Sequence, residues 1–218
     1  MRLGLLVDLQ RCIGCDTCTM ACKQENGTPK DFFFARVLNM ETGEFPRVKR
    51  SYLPVLCNHC ADAPCIRACP NKSIFKRPDG IVIIDQERCN GTGACVSACP
   101  YGNIYLKAEE QWYFPDDSPH EHYAKSRLEN GKAKKCTYCA HRLDQGLEPA
   151  CVVACPADAR IFGDLDDPNS KVSQHLFMQK ERTQREPFRL LEELGTDPST
   201  RYLNPLSQMR SGGRGNKE

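Results

Sequence analysis

The sequence predicts an α+β fold of two stacked modules, with a β-rich insert and an extended C-terminal tail. Three observations point there. One cysteine run recurs four times, three of the four end in a Cys-Pro turn followed by a strand-like stretch, and a cysteine-free end follows the last. Repetition of one such unit means like modules packed together rather than a solenoid.

Leu3 to Asp8 reads as a short strand delivering the first run, Cys12-Ile-Gly-Cys15-Asp-Thr-Cys18-Thr-Met-Ala-Cys22. This C-x2-C-x2-C-x3-C spacing lets a strand–turn–helix corner wrap a cube of iron and sulfide. Three thiolates in a tight loop bind one cluster, and the fourth, about a helical turn on, binds a neighbour. Lys30 to Leu56 lack cysteine. Their aromatics (Phe32, Phe33, Phe34, Phe45, Tyr52) and the Thr42-Gly43 turn predict a strand pair covering a cluster or facing a partner.

The second run, Cys57-Asn-His-Cys60-Ala-Asp-Ala-Pro-Cys65-Ile-Arg-Ala-Cys69-Pro70, has two extra residues in its middle. Between Ser73 and Asp85, Asp79-Gly80 separates two β-rich runs and marks a hairpin. The third run follows at once: Cys89-Asn-Gly-Thr92-Gly-Ala-Cys95-Val-Ser-Ala-Cys99-Pro100, with Thr92 where the second cysteine should stand. Cys-Pro, strand, turn, strand, next motif is the half-unit of a bacterial ferredoxin, so both modules are expected to be ferredoxin-like. Cys136-Thr-Tyr-Cys139 and Cys151-Val-Val-Ala-Cys155-Pro156 form the fourth run, opened by an insert.

The expected organisation is a first module from 1–30 plus 125–165, a second over 54–106, inserts at 31–53 and 107–124, and a partner-binding tail over 166–218. In the tail, Val172 to Lys180 reads as a short helix. A second helix is expected over 187–195, opened by Pro187 and closed by Gly195. Ser211 to Glu218 reads as disordered.

The four runs use all 15 cysteines. A disulfide framework suits an odd, tightly clustered set poorly, because thiols two residues apart rarely bridge. Structural zinc would suit Cys136, Cys139, Cys151 and Cys155 taken alone, but takes four ligands and has no use for the longer run. Inert buried thiols would not recur in a fixed pattern. Iron–sulfur ligation accounts for all of them.

With 40% hydrophobic residues and a mean hydropathy of −0.55, the 218-residue chain is poorly supplied for an ordinary core. Clusters that each tie four distant points would supply the nuclei, coupling folding to cofactor insertion. Fifteen thiolates, offset by roughly +7 from four cluster cores, would carry the formal charge from +2 to about −6. Arg11, Lys23, Arg88, Lys134 and Lys135, next to the motifs, are candidates to screen that charge. His59 and His141 stand beside ligands and could donate to cluster sulfur, although solvent-exposed histidine is the plainer reading. His120-Glu-His122 reads as an ordinary loop pair rather than a metal site. The basic residues are not interleaved with aromatics, so no nucleic-acid surface is expected. No stretch approaches the ~18 apolar residues of a membrane span, and the eleven residues before Cys12 leave no room for a cleavable signal peptide.

On these four motifs, together with Lys135-Cys-Thr-Tyr-Cys-Ala-His-Arg142 and Phe162-Gly-Asp-Leu-Asp-Asp-Pro168, the chain resembles a known family over residues 3–175. It is similar to the four-cluster electron-transfer subunits of dimethyl sulfoxide reductase-type molybdopterin oxidoreductases, among them polysulfide, arsenate and tetrathionate reductases. The resemblance implies that Cys12, Cys15 and Cys18 with Cys155 hold the cluster nearest the pterin subunit, and Cys22 with Cys136, Cys139 and Cys151 the next. Cys57, Cys60 and Cys65 with Cys99 hold the third, leaving Cys69, Cys89 and Cys95 for the fourth, with Thr92 at its vacant corner.

A threonine alkoxide is a hard and scarcely ionised ligand, so a 3Fe–4S cluster is expected there beside three 4Fe–4S clusters. The related nitrate reductase subunit, with tryptophan in that slot, is the family precedent. The alternative is four 4Fe–4S clusters, one with Thr92 or water as ligand. No nucleophile, acid–base pair or phosphate loop is visible, so no catalytic residue is assigned. The resemblance implies an electron relay between a large molybdopterin (molybdenum or tungsten) catalytic subunit and a quinone-linked membrane anchor or soluble carrier. A free-standing soluble polyferredoxin is the second reading, and substrate chemistry at the Thr92 corner a third. Co-export with a partner to the periplasmic face of a membrane is expected, with a cytoplasmic home as the alternative.

Overall fold

The computed structural model describes residues 1–109, 111–114, 118–184 and 186–204. Strand β1 (Leu3–Asp8) leads through the first cysteine loop into helix α1 (Thr17–Asn26). The helix closes at Gly27, whose left-handed φ of 56° suits the glycine that ends a helix. Strands β2 (Ala35–Thr42) and β3 (Lys49–Leu56) form the antiparallel pair expected over Lys30–Leu56, in register from Ala35 opposite Leu56 to Thr42 opposite Lys49.

The second run forms the one-turn helix α2 (Pro64–Ala68), opened by Pro64. The Asp79-Gly80 hairpin follows as β4 (Ile74–Lys76) and β5 (Val82–Ile84), with Gly80 at φ 85°. Helix α3 (Ala94–Ala98) and strand β6 (Ile104–Tyr105) repeat the pattern. Helix α4 (Pro119–Arg127) replaces the loop expected at His120-Glu-His122 and runs past the expected end of the insert at 124. Ser118 caps it by accepting from the Glu121 amide. Strand β7 (Lys134–Lys135) pairs with β6, and α5 (Ala140–Leu143), α6 (Ala150–Val153) and β8 (Arg160–Asp164) complete the fourth run. Helix α7 (Lys171–Thr183), capped by Ser170, and strand β9 (Thr200–Leu203) end the described chain.

The central sheet has the order β8-β1-β9. Strand β1 pairs antiparallel with β8 and parallel with β9, and its Leu5, Leu6 and Val7 are at most 1% exposed. A strand covered on both faces reads as a continuous apolar run, as Leu3 to Val7 does. Helix α1 packs on α6, and α2 on α3. One core gathers Leu5, Val7, Phe32, Phe34, Tyr138 and Tyr202 with Cys22 and Cys136. A second is built from Ile74, Val82, Ile84 and Ile104 around Cys60, Cys65, Cys89 and Cys95.

Two expectations about the C-terminal part are corrected. No helix spans 187–195. Phe188 instead exchanges both backbone hydrogen bonds with Tyr202, leaving one 3-10 turn at Glu192–Leu194. Residues 166–204 are not an extended tail either, because β9 completes the chain's own sheet and buries Tyr202 and Leu203. Ser211 to Glu218 lie outside the described residues. Among the described residues, no helix is long and apolar enough to cross a membrane.

Candidate metal centres

The cysteine loops are shaped by left-handed residues. Gly14, Asp16, Gly91 and Gly93 carry positive φ, and so do His59 in the second run and Tyr138 and Cys139 in the fourth. Successive turns of this kind curl the chain so that amides and thiols face one centre. At Gly14 the fit is tight, since a Cβ there would overlap the Tyr52 ring of β3. The β2–β3 pair therefore covers the first loop, and Val37 and Pro54 from it line a hollow together with Cys12, Cys15, Cys18 and Cys155.

The fifteen thiols are all free. Their electrostatic neighbours fall into four groups. Cys12 faces Cys18 and Cys155. Cys22 and Cys136 each face Cys139 and Cys151. Cys60 and Cys65 each face Cys57 and Cys99, and Cys95 faces Cys89 and Cys69. The groups also lie within electrostatic reach of one another: Cys151 feels Cys18, and Cys136 feels Cys57. Among the described residues, no three ligand-type side chains are gathered as they would be for a single ion. A polynuclear cluster sets its irons and sulfides between the thiolates, so its ligands stand further apart.

Burial pushes the thiols up, Cys60 and Cys139 to about 11 and Cys65 to about 12, with Cys22 and Cys136 well above the ordinary range. Such thiols ionise only when something replaces lost hydration, which iron does. Donors are already aimed at sulfur. The Ala159 amide reaches Cys155 Sγ at 3.3 Å, Ser73 reaches Cys69 through its amide at 3.3 Å, and Tyr138 N reaches Cys136 Sγ at 3.3 Å. Asn26 Nδ2 lies 3.5 Å from Cys22 Sγ and 4.0 Å from Cys139 Sγ. Buried polar atoms without a protein partner remain at Asn58, His59 Nε2 and Arg160 Nη2. Soft thiolates, amides pointing at them and orphaned donors around them fit an iron–sulfur cofactor.

Comparison with known proteins agrees. A 4Fe-4S dicluster domain matches residues 48–114 and 118–165, and a 4Fe-4S binding domain matches 9–27. A Halobacterium salinarum protein described as a dimethyl sulfoxide reductase iron–sulfur subunit is 42% identical over 92% of this chain and 78% of its own length. The iron–sulfur subunit of the arsenate respiratory reductase of a Shewanella species is 39% identical, covering 93% of this chain and 96% of the relative. One subunit of the Salmonella typhimurium tetrathionate reductase is 39% identical over 93% of this chain and 72% of the relative. The chain belongs to the iron–sulfur subunits of the dimethyl sulfoxide reductase family.

In this iron–sulfur subunit Thr92 is exposed, held between the left-handed Gly91 and Gly93. His59 is not a surface residue as the plainer reading had it. It is 1% exposed, its Nδ1 accepts from the Val82 amide at 3.0 Å, and its ring stacks 3.8 Å from that of Tyr138. His141 Nε2 meets Glu25 at 2.7 Å instead of a sulfur. His120 bonds the Gln24 carbonyl, and residues two apart on α4 do not share a face, so the His120-His122 pair makes no site.

Of the flanking cations, Lys135 and Lys134 are buried and Arg11 and Arg88 exposed. Lys135 Nζ donates to the Val82 and Cys136 carbonyls beside the third group. Lys23 Nζ donates to Pro29 O at 2.8 Å and Phe32 O at 3.0 Å, and burial draws its pKa down to about 8.

Sequence reasoning missed two contributors. Segment 196–202 clamps the motif turns: Ser199 donates to the Asn58 carbonyl at 2.8 Å, Thr200 meets Tyr138 at 2.6 Å, and the Thr196 carbonyl accepts from the Asp62 amide at 3.1 Å. No spacing signal announces a residue so far along the chain. Arg160, 4% exposed, is the other, and only its place after the last Cys-Pro turn hints at it.

Proposed function

We propose that this chain relays single electrons through four iron–sulfur clusters. They would run between a molybdopterin catalytic subunit, holding molybdenum or tungsten, and a quinone-linked membrane partner or a soluble carrier in anaerobic respiration. The observation that carries this is the order of the cysteine groups. The first lies within electrostatic reach of the second through Cys18 and Cys151, the second within reach of the third through Cys136 and Cys57, and the third and fourth share one core. A line of adjoining centres passes electrons end to end, whereas a substrate site needs an open pocket with converging acid–base groups.

On this reading Cys12, Cys15, Cys18 and Cys155 hold the first cluster, and Cys22, Cys136, Cys139 and Cys151 the second. Cys57, Cys60, Cys65 and Cys99 hold the third. Cys69, Cys89 and Cys95 hold a fourth of the 3Fe–4S type, because the remaining corner is Thr92. The first group opens to the surface between exposed Ile13, Cys15 and Val153, which suits docking of the catalytic subunit there. The periplasmic face of a membrane is the proposed location, and fractionation of cells with an antibody to the chain tests it. A free-standing polyferredoxin is not favoured, since the relatives are named as subunits of larger reductases.

Gentle anaerobic purification of the native protein, followed by a molybdenum and tungsten assay, tests the relay. A stoichiometric large chain carrying either metal is the expected result. A chain that purifies alone, with neither metal, yet reduces fully at its clusters would sink the proposal.

A further inference from the structure

Arg160 is a buried cation, 4% exposed, with no ion pair to a carboxylate among the described residues. The groups acting on its charge are the thiols of Cys151 and Cys18 and the phenol of Tyr202. Its Nη1 lies 3.8 Å from Cys151 Sγ, while its Nη2 is buried with no oxygen or nitrogen partner among the described residues. Arg160 also lines the same hollow as Cys12, Cys18 and Cys155. An uncompensated buried cation costs several kcal/mol, and the thiolates of two cluster sites on either side would provide the missing negative charge.

The fold does not demand a cation at this point. The Ser73 amide contacts Cys69 Sγ four residues on, and Ala159 contacts Cys155 Sγ in the same way. The next residue, five after the cysteine, is Ile74 in one turn and Arg160 in the other. After Cys99 it is Ile104. Ile74 and Ile104 are buried too, at 3% and 4% exposed. The same structural position therefore carries a hydrocarbon in the second module and a guanidinium between the first two cysteine groups.

We propose that Arg160 is a positioning residue shared by the first two clusters, its guanidinium bridging Cys18 and Cys151 and raising the reduction potential of both. The inference rests on the cluster assignment proposed above. Arg160 faces one added negative charge whichever side the electron occupies. The donor core returns to its oxidised level as the acceptor core goes to its reduced level. A fixed cation between them stabilises the reduced form on each side and weakens the repulsion between two reduced neighbours.

The test is a redox titration of the native complex, followed by electron paramagnetic resonance, with Arg160→Met and Arg160→Lys. Met keeps the length and removes the charge, whereas Lys keeps the charge and loses the fork. In Arg160→Met the midpoint potentials of two clusters fall together while the other two hold, and Arg160→Lys recovers most of the fall. Unmoved potentials, or a fall confined to one cluster, overturn the bridge. If Arg160→Met fails to assemble, arginine labelled with 15N in the wild type decides. A nitrogen hyperfine coupling at the reduced first or second cluster supports the contact, and its absence at both overturns it. A wild type with fewer than four clusters would instead refute the assignment, which the same titration reveals before any variant is made.

Discussion

At position 92 one atom type carries the proposed identity of the fourth cluster. The Thr92 side chain is exposed between Gly91 and Gly93, both left-handed, so the loop curls as in the first run while offering oxygen in place of sulfur. Thr92→Cys should therefore supply the missing soft ligand. The 3Fe–4S signal of the oxidised protein is expected to drop from about one spin per molecule to near zero, and the potential of that cluster to fall. An unchanged signal would mean that the corner does not accept iron, and a wild type without the signal would mean that the cluster already holds four. The cysteines themselves were legible at this scale because ligand spacing is a property of the local chain. His59 and Arg160 were not. Their importance comes from burial against Tyr138, 79 positions from His59, and between Cys151 and Cys18, the latter 142 positions from Arg160.

Between elements, the first cysteine loop depends on the β2–β3 pair lying over it. Gly14 has φ 69° and no room for a Cβ beneath Tyr52, whereas Gly146 has φ 74° and nothing within 4 Å. Gly14→Ala therefore combines a left-handed penalty of roughly 1–2 kcal/mol with overpacking of roughly 1–3 kcal/mol, while Gly146→Ala meets the first cost only. Anaerobic thermal melts of the two variants should rank them in that order, with the first cluster lost in Gly14→Ala alone. Equal melting points would show that Tyr52 yields freely. The hairpins around Thr42-Gly43 and Asp79-Gly80 were readable because turn chemistry and strand pattern are local. Strand β9 was not readable. Four residues, Thr200–Leu203, gain their strand partner from β1, nearly the whole chain away, with Phe188 adding a single bridge at Tyr202, and no local pattern encodes a parallel contact across that distance.

For the whole molecule, iron and hydrocarbon divide the work of holding the chain together. The sheet core around β1 relies on Leu5, Val7, Phe32, Phe162 and Tyr202, with few cysteines among its members. The second core has four buried cysteines among ten residues and only short aliphatic strands besides. Removing iron takes the metal from the thiols of both, but it leaves β8-β1-β9 with its hydrogen bonds and apolar contacts while emptying the centre of the second core. Chelation after mild oxidation should therefore unfold the protein in order. Hydrogen exchange would show the amides of β4 and β5, Ile74 to Ile84, losing protection first, and those of Leu5 to Val7 last. Simultaneous loss at both places would mean that the clusters, rather than the sheet, hold the first module as well. The early fall of the second module follows from a composition short of hydrocarbon, which spends its apolar residues on one sheet and leaves the other half of the molecule to its metal.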